Sequence, residues 1–269
     1  MDDHVILCDA GSGIIPFGNE MMKQSKIREL MIILTHYHWD HICGLPFFVP
    51  AFIPDWNISF FGPGQSGKDI EEFVSAQMRA PFFPVGTETW LANVNYVEPP
   101  DNHKITYGPI SFTYQSVHHP GTTFGYRIKV NGKTILYISD NECLYLNKAI
   151  RQKYGQLSRE EQDLYDAMQR EEYDSELALI QGADILIHDA QYTKEDYHKK
   201  RGWGHSCYID TVNTAIDAGV KELYLYHHDP NYNDKAMEKI GEHAKSIIED
   251  RSSDLRCYIA REGMKVDLS

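Results

Sequence analysis

Short apolar runs ending abruptly in polar clusters set the architecture. His4-Val-Ile-Leu-Cys-Asp9 reads as a buried strand running into the loop Ala10-Gly-Ser-Gly13. Leu30-Met-Ile-Ile-Leu34 reads as a second strand, stopping at Thr35-His36-Tyr37-His38. Residues 111–117, 124–130 and 133–138 give three more, the last two joined by Asn131-Gly132. Asn-Gly between β-rich runs predicts a hairpin, because both residues tolerate a positive φ. Residues 184–188 and 223–227 complete the set, and both end at polar side chains. Helical spacing falls between these runs. Ile70, Phe73, Val74 and Met78 form one stripe, which Pro81 stops. Ser158 with Glu161 predicts a capping box opening a charged helix. Ile209, Val212 and Ile216 form a stripe ending at Gly219, and Asp234 is read as the cap of a helix bearing Met237, Ile240, Ala244 and Ile248. The order is mixed α and β with polar groups at strand ends, where such scaffolds place chemistry. The 269 residues are read as a single domain over 1–269, with a charged helical insertion around 141–181 packed on its core.

Hydrophobic residues make up 42% and charged residues 24%, so a packed core is expected. No apolar run approaches the roughly 18 residues of a membrane helix. Met1-Asp2-Asp3-His4 lacks the basic and apolar segments of a secretory signal. Five cysteines without a CxxC pair do not form a disulfide framework, which points to a reducing, cytoplasmic setting. The formal net charge of -13 repels nucleic-acid backbones, so long RNA or DNA is disfavoured as a partner.

The chemistry concentrates in Thr35-His36-Tyr37-His38-Trp39-Asp40-His41, with four metal-ligand candidates inside six residues. In an extended segment His36 and His38 point the same way, while Asp40 and His41 follow in a turn and can face a second ion. Imidazole suits zinc, iron or manganese, and carboxylate suits the harder of these. Further candidates sit at later strand ends: His118-His119, Asp140 and His227-His228. Adjacent side chains diverge, so one histidine of each pair is expected to ligate, and spacing alone does not say which. Asp140 is the expected carboxylate bridge between two ions. The aromatic loops Gly44-Leu45-Pro46-Phe47-Phe48 and Pro81-Phe82-Phe83-Pro84 are read as packing rather than as base-stacking surfaces.

The motif His36-x-His38-x-Asp40-His41 resembles the metallo-β-lactamase superfold, and the later segments resemble its ribonuclease Z and small cyclic-phosphodiesterase branch. That resemblance implies an α+β fold, a four-layer αβ/βα sandwich. Relatives carry one or two strands before the segment 5–9, so the sheet is expected to lack its first N-terminal strands. His119 stands before Gly125-Tyr126-Arg127-Ile128 as the family's ligand does, and His227 stands in Tyr226-His227-His228-Asp229-Pro230, the family's last ligand context. The implied ligands are His36, His38, His119 and Asp140 for one ion, and Asp40, His41, Asp140 and His227 for the other. Zinc is expected first, with manganese or iron as alternatives. Gly204-His205-Ser206 matches the branch's element for the leaving group, with Asp189 orienting His205. Asp40, His205 and Asp189 are thus the expected catalytic residues. The implied activity is phosphodiester hydrolysis by a metal-bridging hydroxide on a small or cyclic substrate, such as a cyclic nucleotide or cyclic ribosyl phosphate. A nuclease, lactonase, thioesterase or low-turnover metal sensor stands as the alternative. The branch also implies a homodimer. The long arm with which ribonuclease Z grips tRNA is not evident here.

Overall fold

A computed structural model of the chain describes residues 4–24, 26–64, 69–100, 102–145 and 153–268. They fold as two compact units. The first covers residues up to Tyr114 plus Gly121–Phe124, and the second covers Gln115–Pro120 and Gly125–Ser269.

The first unit contains β1 (His4–Cys8), α1 (Ile14–Gln24), β2 (Glu29–Ile33), β3 (Asn57–Phe61), α2 (Ile70–Ala76), β4 (Asn93–Val97), β5 (Lys104–Tyr107) and most of β6 (Ile110–Ser116). Strands β1 to β4 form a parallel sheet in sequence order. Leu30, Ile32 and Leu34 alternate with Met31 and Ile33, and all five are buried, as a strand covered on both faces requires. The even-numbered set packs with Ile58, Phe60, Trp56, Phe48 and Ile14 in one core. On the other face Phe61 meets Phe112, Tyr114 and Phe124. Strands β5 and β6 form an antiparallel hairpin.

Helix α1 has no counterpart among the elements expected from the sequence. Pro16 falls in its first turn, where the missing N–H is not needed. A side chain at Gly18 would meet the Phe48 ring at 2.8 Å, so glycine lets the helix lie close to its core. Helix α2 ends at Ala76, before Met78, and Asp69 caps it by accepting from the Glu72 amide.

The second unit contains β7 (Phe124–Val130), β8 (Lys133–Ile138), α3 (Arg159–Ile180), β9 (Ile185–Asp189), α4 (Lys194–Lys200), α5 (Tyr208–Asp217), β10 (Glu222–Tyr226), α6 (Asp234–Asp250) and β11 (Arg256–Ile259). The expected hairpin joins β7 and β8, with Asn131 at φ 50 and Gly132 at φ +73. Strands β8, β9, β10 and β11 then run parallel in that order. Leu136, Leu186, Leu223 and Leu225 pack with Val212 and Ala215 of α5 and with Ile240 and Ala244 of α6. The capping box of Ser158 and Glu161 opens α3 as expected. Residues 146–152 of the expected insertion lie outside the described residues. One cap is corrected: Asn233, not Asp234, caps α6, because its side chain accepts from the Ala236 amide at 3.0 Å.

Candidate metal-binding site

In the first unit, parallel pairing brings the ends of β1 and β2 to one edge. Asp9 turns there with φ 62 and its amide donates to the Ile33 carbonyl at 2.9 Å. Such a conformation in a non-glycine residue costs about 1–3 kcal/mol and persists where its surroundings enforce it. The enforcing contacts converge on the Asp9 carboxylate. It accepts from the Thr35 amide at 2.7 Å and from the Thr35 hydroxyl at 3.0 Å. It also pairs with His41 Nδ1 at 2.9 Å. The Thr35 hydroxyl, giving its proton to Asp9, stands 3.0 Å from His36 Nδ1. Both rings thus have Nδ1 engaged and present Nε2, the usual device for orienting a metal-ligating imidazole.

The chain then makes a single 3₁₀ turn over Trp39–His41. This brings the His36 ring within 4.5 Å of His38 and 4.2 Å of His41, centroid to centroid. Asp40 Oδ2 lies 3.4 Å from His41 Nε2. His36 and His41 are buried, whereas His38 and Asp40 are exposed. Glycines permit the packing behind this loop. A Cβ on Gly11 would sit 2.3 Å from the Asp40 carbonyl oxygen, and one on Gly44 would sit 2.2 Å from the Gly11 carbonyl oxygen. The Gly11-Ser12-Gly13 loop therefore supports the motif from behind.

In the second unit the strand register does the same work. Ile138 pairs with His188, and Tyr226 pairs with Asp189, so the ends of β8, β9 and β10 lie side by side. Asp140, Asp189 and His227 issue from that edge. Asp140 Oδ2 lies 3.7 Å from His119 Nε2, 3.6 Å from His227 Nε2 and 3.8 Å from His205 Nδ1. His119 Nδ1 bonds the Gly204 carbonyl at 2.8 Å, and the Gln191 carboxamide stands 3.1 Å from His227 Nδ1. The Gly204 carbonyl accepts the His119 Nδ1–H, whereas the Gln191 amide nitrogen donates to His227 Nδ1; in both rings Nε2 faces the carboxylate. His227 has φ 56, a strain that carries its ring over the edge, where it stacks on His205 at 5.0 Å and 8°.

His205 differs from these ligand candidates. Its Nδ1, the nitrogen near Asp140, is bound by Asp189 Oδ2 at 2.6 Å. Asp189 is fully buried and also accepts from the Ser206 and Gln191 amides at 3.1 and 3.0 Å. A carboxylate so held fixes both the orientation of the ring and its tautomer.

In each histidine pair the two rings turn to different partners. His118 turns to Glu172 of α3, with Nε2 3.1 Å from its carboxylate, while His119 faces Asp140. His228 reaches the Ala260 carbonyl at 3.2 Å, and burial lowers its pKa from the usual value. Tyr192 is buried with its ring edge-on to His205, and Cys143 is buried as a small apolar residue. The aromatic loops only partly follow the packing expectation. Phe48 is buried, but Phe47 and Phe82 are exposed, because the 3₁₀ turn over Leu45–Phe47 puts adjacent rings on opposite sides. Glu142 and Gln191 are neighbours of the site that sequence reading does not find, since their contacts are with residues distant along the chain.

Imidazole nitrogens with carboxylate oxygens form a donor set suited to zinc and also to manganese or iron. Within the second unit, Asp140 Oδ2 lies 3.7 Å from His119 Nε2 and 3.6 Å from His227 Nε2, two imidazole nitrogens around one carboxylate oxygen. The residues present therefore fit a divalent cation.

Comparison with known proteins agrees with this chemistry. The model of the beta-lactamase superfamily domain matches residues 4–158, more than half of the chain. The chain belongs to that family. Within the superfamily it is similar to ribonuclease Z of Picrophilus torridus, at 24% identity over all of this chain and 88% of that protein. Ribonuclease Z of Streptococcus gordonii is 26% identical over 85% of this chain and 80% of its own length. Among solved structures, the metallo-beta-lactamase fold protein YhfI from Bacillus subtilis has a TM-score of 0.61 at 20% identity, covering 96% of this chain and 85% of that one. The short form of human tRNase Z has a TM-score of 0.59 at 17% identity, covering 98% and 88%. These bear out the expected superfold, the likeness to its ribonuclease Z branch and the reading as a metal-dependent hydrolase. No helix among the described residues is long and apolar enough to cross a membrane.

Proposed function

We propose that this superfamily member is a dinuclear metal-dependent phosphodiesterase acting on a small or cyclic phosphodiester, such as a cyclic nucleotide or a cyclic ribosyl phosphate. His36, His38, His119 and Asp140 hold one ion. Asp40, His41, Asp140 and His227 hold the other. Zinc is the first candidate, with manganese or iron as alternatives. Bound ions supply Lewis-acid activation of water and neutralise charge on the phosphoryl oxygens.

The observation that carries the reading is the clasp of His205 by Asp189. Asp189 holds the Nδ1–H, so that His205 directs Nε2 outward, and that nitrogen donates once the ring is protonated. A protonated ring there binds a phosphoryl oxygen and delivers a proton to the departing alkoxide, which turnover of a phosphodiester needs. Ester or lactone hydrolysis makes no such demand for a phosphate-contacting imidazolium. The buried Asp189 keeps the tautomer fixed between turnovers. The net charge of -13 favours a small substrate, since a long polyanion is repelled over most of the surface. The likeness to ribonuclease Z supports a phosphodiester target and keeps a nuclease as the second reading.

A substrate panel tests this. Metal-loaded protein is given 3′,5′-cyclic nucleotides, a 1,2-cyclic ribosyl phosphate, a tRNA precursor and a lactone. Turnover of a cyclic phosphodiester above the others is expected. Cleavage of the tRNA precursor alone transfers the reading to the nuclease, and lactone turnover alone sinks it.

A further inference from the structure

Glu142 lies two residues beyond Asp140 and is fully buried. A buried carboxylate is costly unless its oxygens are filled with donors. Here they are filled by one stretch of chain. The Gly202 amide donates to both oxygens at 3.0 Å, and the Gly204 amide donates to Oε2 at 3.0 Å. The Tyr197 hydroxyl donates to Oε1 at 2.5 Å, and burial with this bond raises the tyrosine pKa. Glu142's own amide donates to the His118 carbonyl at 2.7 Å, tying the carboxylate to the segment that carries His119.

What the clamped loop carries gives Glu142 its significance. Gly204, at φ +87, turns its carbonyl onto His119 Nδ1 at 2.8 Å. The next residue is His205. The following one, Ser206, donates its hydroxyl to the Asn141 carbonyl at 2.6 Å and receives the Cys143 amide at 3.0 Å. The stretch after Asp140 and the stretch around His205 are therefore laced together, and Glu142 brings a charged group to that lacing.

We infer that Glu142 is a positioning residue. Through the 202–204 loop it fixes the Nδ1-bonded form of His119, so that Nε2 is the metal-facing nitrogen, and it holds His205 at the same time. The inference rests on the metal-site reading above. Its logic is electrostatic. A carboxylate accepts three N–H or O–H donors, whereas the isosteric amide of glutamine sets its own N–H₂ against them. The Gly204 carbonyl then loses its fixed direction and His119 loses the partner that selects its tautomer.

The test uses the full chain carrying Glu142→Gln. Zinc alone is titrated in by calorimetry, and long-range proton–nitrogen spectra of the metal-free protein report the His119 tautomer. The expected result is a roughly 10- to 100-fold weaker zinc affinity, the usual effect of losing a partner behind a ligand. The His119 signals are expected to show a mixture of tautomers, with the fold unchanged by circular dichroism. Should Glu142→Gln not fold, Gly204→Ala perturbs the same loop from its other end, because a Cβ there would lie 2.5 Å from His119 Nδ1. The same two losses are expected. Wild-type zinc affinity and a single His119 tautomer in the folded variant overturn the inference. A wild-type chain that binds no zinc overturns the metal-site reading instead, and the tautomer spectra still decide the role of Glu142.

Discussion

Two groups of candidate site residues sit in the two units, and they are built on opposite plans. The group of His36, His38, Asp40 and His41 is contiguous. One loop after β2 carries all of it, and one carboxylate, Asp9, orders it through Thr35 and His41. The group of His119, Asp140, His205 and His227 is dispersed. It draws on the segments after β6, β8 and β10 and on the loop before α5, and it is ordered by Asp189, Glu142 and Gln191 together. A contiguous motif needs one good anchor, because covalent connection already limits its geometry. A dispersed motif needs a network, because each member arrives on a separate element and carries its own entropy of placement. The placement of the first group therefore hangs on one anchor, whereas that of the second is shared among struts of unequal weight, Glu142 the heaviest.

The largest effect is expected in the dispersed group. Asp140→Ala should abolish measurable metal content by elemental analysis and lower phosphodiester turnover by about 1000-fold, the rate equivalent of roughly 4 kcal/mol. Full metal content and full activity in that variant would break the account of the bridge. His205→Ala comes next, with turnover down by about 100-fold or more, the worth of a positioned proton donor. Its metal content should hold, which separates donor from ligand. If zinc is lost with His205, it belongs among the ligands and the comparison must be redrawn.

Asp9→Asn sharpens the contrast. It removes the charge that faces His41 and should weaken metal affinity by roughly 10- to 100-fold from one residue. Gln191→Ala, one strut among several in the dispersed group, should cost less than that range in the same titration. Equal losses would mean that the two plans are not different in kind.

The smallest expected effect is on pH-dependent stability. His188 is buried with its Nδ1 on the Asp189 carbonyl at 2.8 Å, and burial lowers its pKa below the usual 6.5. Below that pH the unfolded chain binds a proton that the folded chain does not, so stability is present at higher pH and falls as the pH drops past 6.5. Thermal unfolding of the metal-free protein should show this slope, and His188→Gln should flatten it. An unchanged slope would remove His188 from the account.

The same contrast explains what can be read from the sequence. The loop 35–41 is legible because its ligands are neighbours in the chain, and the β7–β8 hairpin because Asn131-Gly132 carries its own conformational signal. The choice of His119 over His118 is open at the level of single residues. It depends on Glu172 drawing His118 toward α3, a contact no local pattern encodes. Glu142 leaves no sequence signal, since its donors lie 55 to 62 residues away. Strands β3 and β4 escape a sequence reading because Ser59 and Asn95 interrupt short runs whose pairing comes from neighbouring strands. Helix α1 escapes it because Pro16 and Gly18 argue against a helix unless the packing of Phe48 is known.

The most direct test of the central claim is hydrolysis of bis(p-nitrophenyl) phosphate by the metal-loaded chain, measured beside His205→Ala. The account predicts turnover that vanishes on chelation, returns with zinc or manganese, and falls by about 100-fold in the variant while its metal content stays intact. Phosphodiester turnover indifferent to His205, or none at all in a fully metal-loaded protein, would contradict it.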